Sequence, residues 1–324
     1  MDFELNEQQQ EIKRVAHELL AGRQPLSKVR EAAEAGRYDQ GLERELIELG
    51  WVGIAVPEQQ GGGGLGMVEL AVLAEELGYA CAAVPFLGSA AVAAELAAAG
   101  EFSSLVGELA AGNLQAAFGP PELLIDGGVA KLAILLGEEE AVLAEEPNLL
   151  AVETVDRTRS YATYGGGSET PLGEGSGARL RIAVAAELLG LCQRALELTV
   201  EYVKQRKQFD RPVGSFQAVA HRAAEMFRHT ESLRSAVYYA AWAADAQPAL
   251  LGEAAALAAA AAVEGGREVT AAAIQLHGGI GFTWEADLHW LYKRAQADAA
   301  VLGPAGRYHA ALARQAANRL AAVG

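Results

Sequence analysis

The chain has 324 residues, of which 51% are hydrophobic and 21% charged, a composition typical of a folded globular protein. Its 42 acidic and 26 basic residues give a formal net charge of −16, which argues against binding to nucleic acid or to an anionic membrane surface. Two cysteines, Cys81 and Cys192, exclude a disulfide framework, and each is expected in the core because it lies in an apolar stretch. The N-terminus lacks an apolar signal core and the alanine-rich runs are interrupted by Glu, Arg or Gly, so we expect a cytoplasmic protein without a membrane span.

The first third of the chain, residues 1–112, predicts a helical domain. Asn6 can cap a first helix, with Gln9 three residues later as in a capping box. Gly78 and Gly100 follow two of the apolar runs and predict glycine C-caps. The helices are predicted over 7–20, 38–49, 67–77 and 89–99.

Residues 113–177 predict a small β domain that ends in a linker. The pattern changes after Gly112 to short apolar runs separated by turn residues, which is typical of strands. A hairpin is predicted around residues 138–140, and the glycine-rich stretch 165–177 predicts a mobile linker. The strands are predicted over 130–137, 141–145, 148–155 and 159–165.

Residues 178–324 predict a helical bundle, because alanine, the strongest helix former, is abundant there. Thr283 is expected to cap the fourth helix, with Glu285 and Asp287 in its first turn, and Pro304 interrupts before a last helix. The three preceding helices are predicted over 179–206, 216–246 and 250–276. The predicted fold is therefore mainly α with a small β middle domain.

Familiar catalytic and cofactor motifs are absent or misplaced. Gly61, Gly63 and Gly66 match GxGxxG, but PEQQ separates them from the preceding apolar run and no strands alternate with helices, so we interpret them as a surface loop. The six histidines show no metal-ligand spacing, and we predict no metal site. Ser168 and Ser176 lack the flanking glycines of a nucleophile elbow.

Two segments carry a more specific signal: RKQFDRPVGSFQ at 206–217 and QLHGGIGF at 275–282. The first lies in a basic cluster within an acidic chain, and the planar guanidinium of arginine suits a pyrophosphate. The glycine pair of the second allows a backbone to approach a phosphate or ribose. The basic residues are Lys204, Arg206, Lys207 and Arg211.

Apolar and amide side chains in the same segments suit an adenine ring. Phe209 and Val213 can pack against the ring, and Gln217 and Gln275 can bond its polar edge. A basic helix end followed by a glycine turn is the simpler interpretation of either segment alone. The two together favour nucleotide binding.

With WVGIAVPEQQGG at 51–62, these segments make the chain resemble an acyl-CoA dehydrogenase over essentially its whole length. The resemblance implies an N-terminal helical domain, a reduced β domain and a C-terminal four-helix bundle. It also implies that the segments bind the ADP half of FAD across a subunit interface. Asp210 departs from the glycine that the family commonly has there. The implied cofactor-binding residues are Arg206, Phe209, Val213, Gln217, Gln275, Gly278 and Gly279.

The residues that the family uses for catalysis are missing. The family reaction removes an α-proton with a carboxylate and passes a hydride from the β-carbon to the flavin. The usual base position corresponds to Leu302, and the alternative position corresponds to about Leu180. Glu187 is the remaining candidate base, although a helix glutamate at a packed seam is its more ordinary interpretation. The flavin-binding strand is also missing, since AAFGPPELLIDGG stands in its place.

This combination resembles the degenerate, β-type subunit of bacterial α2β2 acyl-CoA dehydrogenases for steroid or other bulky acyl groups. It implies a homologous catalytic partner that holds the flavin, the acyl-CoA and the base, with electron-transfer flavoprotein as electron acceptor. Two alternatives stay open. One is a self-sufficient flavoenzyme with a relocated base, and the other is a non-catalytic scaffold that has kept only the fold.

Overall fold

Helices at both ends of the chain flank a seven-stranded sheet in the computed structural model, which describes residues 4–138 and 140–323. One large cluster of buried apolar residues runs through the N-terminal helices, one face of the sheet and the C-terminal helices. The predicted fold class, mainly α with a small β region, is confirmed.

The N-terminal helices form largely where the sequence predicts them. Asn6 and Gln9 make the predicted capping box, and Gly100 ends a helix in the left-handed conformation. Two further helices were not predicted, because no side-chain cap marks their start. The helices are α1 (Glu7–Arg23), α2 (Leu26–Ala35), α3 (Gln40–Glu48), α4 (Met67–Ala80), α5 (Leu87–Ala99) and α6 (Ser103–Ala110).

The predicted C-cap at Gly78 is wrong, because this glycine lies inside α4 and serves helix packing. A Cβ atom at Gly78 would lie 2.1 Å from the carbonyl oxygen of Glu187, and one at Gly190 would lie 1.9 Å from that of Glu75. The two glycines therefore let α4 pack backbone to backbone against the helix that carries Glu187 and Gly190.

The middle of the chain forms a mixed sheet in the order β5-β6-β2-β1-β3-β4-β7. The strands β1 and β3 pair in parallel and the other neighbours are antiparallel. The predicted hairpin is confirmed as β3–β4, although residue 139 in its turn lies outside the described residues. The strands are β1 (Ala116–Gly119), β2 (Leu124–Ile125), β3 (Leu132–Leu136), β4 (Glu140–Glu145), β5 (Leu149–Val152), β6 (Tyr161–Tyr164) and β7 (Ser168–Glu174).

The predicted linker at 165–177 is wrong, because most of it forms the edge strand β7. Glu145 of β4 pairs with Ser168 of β7, and the pairing continues to Glu174. An edge strand is stabilised by backbone hydrogen bonds on one side and tolerates proline, so its composition does not look like that of a strand. Pro171 lies in the middle of β7.

The C-terminal bundle follows the predicted helices within a residue or two. The predicted Thr283 cap is wrong, since the fourth helix begins only at Leu288 and the Thr283 hydroxyl donates to the Ile280 carbonyl. Glu285 and Asp287 precede that helix, and Asp287 accepts from Arg30 at 2.6 Å. The helices are α7 (Ala178–Gln205), α8 (Gln217–Ala246), α9 (Leu251–His277), α10 (Leu288–Leu302) and α11 (Ala305–Val323).

By length and composition alone, the stretch Pro248–Phe282 around α9 could cross a membrane. Of its apolar window, 56% is buried inside the protein, against α7, α8 and α10. This burial is what a core helix of a bundle requires. Cys81 and Cys192 are free and fully buried, as predicted.

The GxGxxG glycines form the predicted loop. The chain around Gly62 folds so tightly that a Cβ atom there would lie 2.3 Å from the Val56 carbonyl oxygen. Gly66 then precedes the first turn of α4. The sheet is built from residues 116–174, so these glycines do not lie in a β-α-β unit.

Candidate functional site

The first predicted segment forms a projecting turn after the C-terminus of α7. The strands β8 (Lys207–Gln208) and β9 (Arg211–Pro212) pair, and the Val213 N–H donates to the Arg206 carbonyl at 2.8 Å. Phe209 and Asp210 lie at the tip with φ values of 52° and 61°, in the left-handed region. The Phe209 side chain is 87% exposed. This turn therefore presents an aromatic ring and a carboxylate to the surroundings.

The second predicted segment lies at the same end of the bundle. The helix α9 ends at His277, and residues Gly278–Phe282 form a 3-10 turn that starts with Gly278 at φ 64°. The Tyr202 hydroxyl donates to the His277 carbonyl at 3.3 Å, and the two rings stack with centroids 4.2 Å apart. Because Tyr202 is in the last turn of α7, this contact holds the two segments together.

Three of the polar side chains predicted to bind the cofactor are exposed and make no hydrogen bond within the described part of the protein. Within residues 4–138 and 140–323, the side chains of Arg206, Gln217 and Gln275 make no hydrogen bond. A Cβ atom at Gly279 would meet nothing within 4 Å, so its backbone faces open space. In contrast, the Arg211 guanidinium lies over a phenylalanine ring of the chain itself, 4.0 Å from the centroid of Phe216. Of the two arginines in these segments, Arg206 is therefore the one whose guanidinium makes no contact of this kind in the described part of the chain.

The position of the expected base is apolar and closed. Leu302 is fully buried at the end of α10, and its carbonyl oxygen accepts from the Tyr308 hydroxyl at 2.6 Å and from Arg307. Leu180, at the alternative position, is fully buried in the first turn of α7. Neither position offers a group that accepts a proton.

Glu187, the remaining candidate base, is held by two arginines. Its Oε1 atom accepts from Arg159 at 2.6 Å and from Arg294 at 2.9 Å, and the residue is 2% exposed. Burial by itself raises the pKa of Glu187, but the charges of the two guanidinium groups outweigh burial and leave that pKa below its ordinary value. A carboxylate that is stabilised in this way is a weak base, and its burial keeps it from the surface.

Further buried polar residues surround Glu187, and the sequence interpretation missed them. Arg294 donates from Nε to Asp156 at 2.8 Å, and Arg159 donates to Asp298 at 3.1 Å. Asp156 and Arg159 belong to the segment VDRTR at 155–159. Its alternating charges within an otherwise apolar region could have indicated buried ion pairs. The pairing with α10 could not be foreseen, because it joins positions almost 140 residues apart. Among the described residues, no group of three or more His, Cys, Asp or Glu side chains could hold a metal ion.

Comparison with known proteins identifies the family. Residues 6–103 match the acyl-CoA dehydrogenase N-terminal domain and residues 178–317 match the C-terminal domain. The acyl-CoA dehydrogenase IpdE2 of Mycolicibacterium smegmatis is 36% identical over 271 residues, covering 82% of this chain and 85% of that protein. The chain belongs to the acyl-CoA dehydrogenase family.

Two solved structures share the fold over nearly the whole chain. The Tcur3481–Tcur3483 steroid acyl-CoA dehydrogenase has a TM-score of 0.86 and 26% identity, covering 97% of this chain and 99% of that one. The ChsE4–ChsE5 complex of Mycobacterium tuberculosis has a TM-score of 0.84 and 25% identity, covering 98% and 99%.

The chemistry at the end of the bundle suits one half of the family's cofactor, FAD. An uncommitted guanidinium, two uncommitted amides and an open glycine backbone suit the ADP half of FAD. The region expected to hold the flavin lies between the two family matches, in residues 104–177, which neither match includes.

Proposed function

We propose that this chain is the non-catalytic subunit of a heteromeric, FAD-dependent acyl-CoA dehydrogenase. It supplies the ADP-binding side of FAD to a homologous catalytic subunit. That subunit contributes the flavin pocket, the acyl-CoA site and the base. FAD, when bound, accepts the hydride that leaves the β-carbon of the acyl thioester.

The observation that carries this proposal is that Glu187 is buried and paired with two arginines, while the two positions at which the family has its base are leucines. A positioned general base contributes roughly 10²–10⁴ to a rate, so an acyl-CoA dehydrogenase cannot dispense with one. Glu187 is the acid of α7 that lies nearest in sequence to the alternative base position Leu180, and both arginines that hold it are themselves buried. The base must then come from another chain.

The exposed site at the end of the bundle supports the second half of the proposal. Arg206 is the residue we assign to the pyrophosphate, with Phe209 and Val213 against the adenine. Gln217 and Gln275 are assigned to its polar edge, and the backbone of Gly278 and Gly279 to the phosphate or ribose. All of these residues are exposed or half-buried, so a second subunit can close over them.

The partner is a homologous acyl-CoA dehydrogenase subunit in an α2β2 assembly. The structure of similar fold from Mycobacterium tuberculosis is named as a complex of two different proteins, which agrees with this arrangement. The substrate is an acyl-CoA bound through the partner, within lipid or steroid catabolism, and electron-transfer flavoprotein is the electron acceptor. We place the enzyme in the cytoplasm.

Assembly itself is testable by light scattering of the chain with and without its co-expressed homologue. Among the described residues, seven exposed large apolar side chains lie on the bundle or its end: Phe209, Phe227, Leu257, Ile280, Phe282, Trp284 and Leu320. Such surfaces are usually covered in an oligomer. A chain that stays monomeric at all concentrations with the homologue present would contradict the assignment.

The FAD content of the purified complex tests the cofactor assignment. Arg206→Ala should weaken FAD retention by about 1.5–3 kcal/mol, the scale of a charged hydrogen-bonded contact. Arg211→Ala is the matched control, because its guanidinium is already placed over Phe216 and should affect FAD retention less. Equal FAD content in the wild type and in Arg206→Ala would place the ADP contact elsewhere.

The two alternatives predict different spectra. A self-sufficient flavoenzyme would be yellow when purified alone, whereas a scaffold would bind neither FAD nor the homologue. The proposed subunit should be colourless alone and yellow in the complex. The pairing of Glu187 with two arginines speaks against the first alternative.

A further inference from the structure

A buried ionic cluster joins the sheet region to the bundle. We call it the junction cluster and define it by six residues that are at most 6% exposed: Asp126, Asp156, Arg159, Glu187, Arg294 and Asp298. The first three come from the sheet region, Glu187 comes from α7, and the last two come from α10. Movement of α10 relative to the sheet therefore requires this cluster to separate.

The junction cluster contains more acids than bases. Two arginines face four carboxyl groups, so full ionisation would give 2 − 4 = −2 in a region without solvent. An uncompensated charge in such a place is so unfavourable that a carboxyl group keeps its proton instead. Charge balance within the junction cluster therefore favours a proton on at least one of the four acids at neutral pH.

The hydrogen bonds indicate which of the four acids keeps the proton. Asp156 accepts from the Thr158 N–H, from the Tyr161 hydroxyl and from Arg294, each at 2.8 Å. Asp126 accepts from the Tyr38 hydroxyl at 2.7 Å and from the Gly88 N–H at 2.9 Å. These donors stabilise the ionised forms of both acids.

Asp298 is the acid with the fewest donors. Its Oδ1 atom receives one bond, from Arg159 at 3.1 Å, and its buried Oδ2 atom has no partner among the described residues. Oε2 of Glu187, whose other oxygen is bound to the same guanidinium, is also a buried acceptor with no partner in the described part of the chain. A proton on Asp298 Oδ2 removes the unpaired acceptor of Asp298 and adds a donor to an acid that shares the Arg159 guanidinium with Glu187.

We propose that Asp298 is a protonated acid at neutral pH and that its proton acts as a pH-sensitive lock between α10, α7 and the sheet region. The charged or titratable groups that face it are Arg159, Asp156 and Tyr161 from the sheet region, Glu187 from α7 and Arg294 from α10 itself. Alkaline pH removes the proton, places a second carboxylate beside Glu187 and weakens the junction.

Burial and the neighbouring charges act on the pKa of Asp298 in the direction that the proposal requires. Burial raises the pKa of Asp298, and the adjacent carboxylate of Glu187 raises it further, well above its usual range. In the unfolded chain the same acid ionises near pH 4. Its contribution to stability is therefore complete below about pH 4 and is lost as the pH rises toward the pKa in the folded protein.

Urea unfolding of the full chain between pH 6 and pH 9 tests the lock. Asp298→Asn, a neutral mimic of the protonated acid, should fold at pH 6 and should be more stable than the wild type at pH 9. The ratio of the wild-type to the variant folding constant should fall about tenfold for each pH unit until the pH reaches the pKa of Asp298 in the folded protein, the effect of one proton. Asp156→Asn is the matched control, and it should destabilise the chain at every pH in this range because it removes an ionised partner of Arg294.

A constant ratio of the two folding constants across the pH range would overturn the proposal, as would an equal destabilisation of both variants. Infrared difference spectra of the wild-type chain give a measurement that does not depend on the variants' stability. A carbonyl band of a buried protonated carboxyl group should be present at pH 7 and should decline at alkaline pH. If the band is absent at pH 7, all four acids are ionised and the lock does not exist.

Discussion

Leu302→Glu restores the family's carboxylate at its expected position, and it should yield a less stable chain that is still inactive. Leu302 is fully buried, so the change removes about 2 kcal/mol of apolar burial. It also buries a carboxyl group without a prepared donor, which costs about 1–3 kcal/mol more. The expected loss in the free energy of unfolding is therefore about 3–5 kcal/mol.

Urea unfolding and a dye-reduction assay with acyl-CoA, each with and without added FAD, measure the two effects. Leu302→Met is the control, since a volume-conserving change should cost less than about 1.5 kcal/mol. Turnover by Leu302→Glu would show that a flavin and substrate site exists in this chain, contrary to this prediction. A Leu302→Glu chain as stable as the Leu302→Met chain would show that the position is not closed.

Three further predictions concern other residues. Glu187→Gln in this chain should leave the turnover of the complex nearly intact, whereas loss of a general base would lower it about 10²–10⁴-fold in the same assay. Asp210→Gly should stabilise the chain by about 0.5–1 kcal/mol in urea unfolding, because Asp210 lies at φ 61°, where glycine has no steric penalty; Asp210→Ala should have the opposite effect. Burial raises the pKa of the Cys81 and Cys192 thiols to about 12, so neither should react with a thiol reagent at pH 8 until the chain is unfolded.

Most of the helices and the two segments of the exposed site could be predicted from the sequence, because both depend on local patterns. The alanine-rich periodic stretches predicted α7, α8 and α9 within a residue or two. The glycine pair at 278–279 and the basic turn at 206–212 were recognised as loops after helices, and the structure brings them to one end of the bundle. Their assignment to FAD remains a prediction.

The features that the sequence did not reveal all depend on distant contacts. Gly78 was predicted to end a helix. Glycine is required there because the backbone of Glu187, more than 100 residues away, leaves no room for a side chain. The strand β7 looked like a linker, since its pairing with β4 uses backbone groups rather than apolar side chains. The pairing of Glu187 with Arg159 and Arg294 likewise joins three separate parts of the chain.

We expect this chain of the acyl-CoA dehydrogenase family to provide cofactor contacts but no catalytic base. A dye-reduction assay on the isolated chain, saturated with FAD, and on the complex with the co-expressed homologue tests it most directly. The isolated chain should show no acyl-CoA-dependent reduction, and the complex should be active until the homologue's catalytic glutamate is replaced. Measurable turnover by the isolated wild-type chain would contradict the claim and would assign catalysis to this subunit.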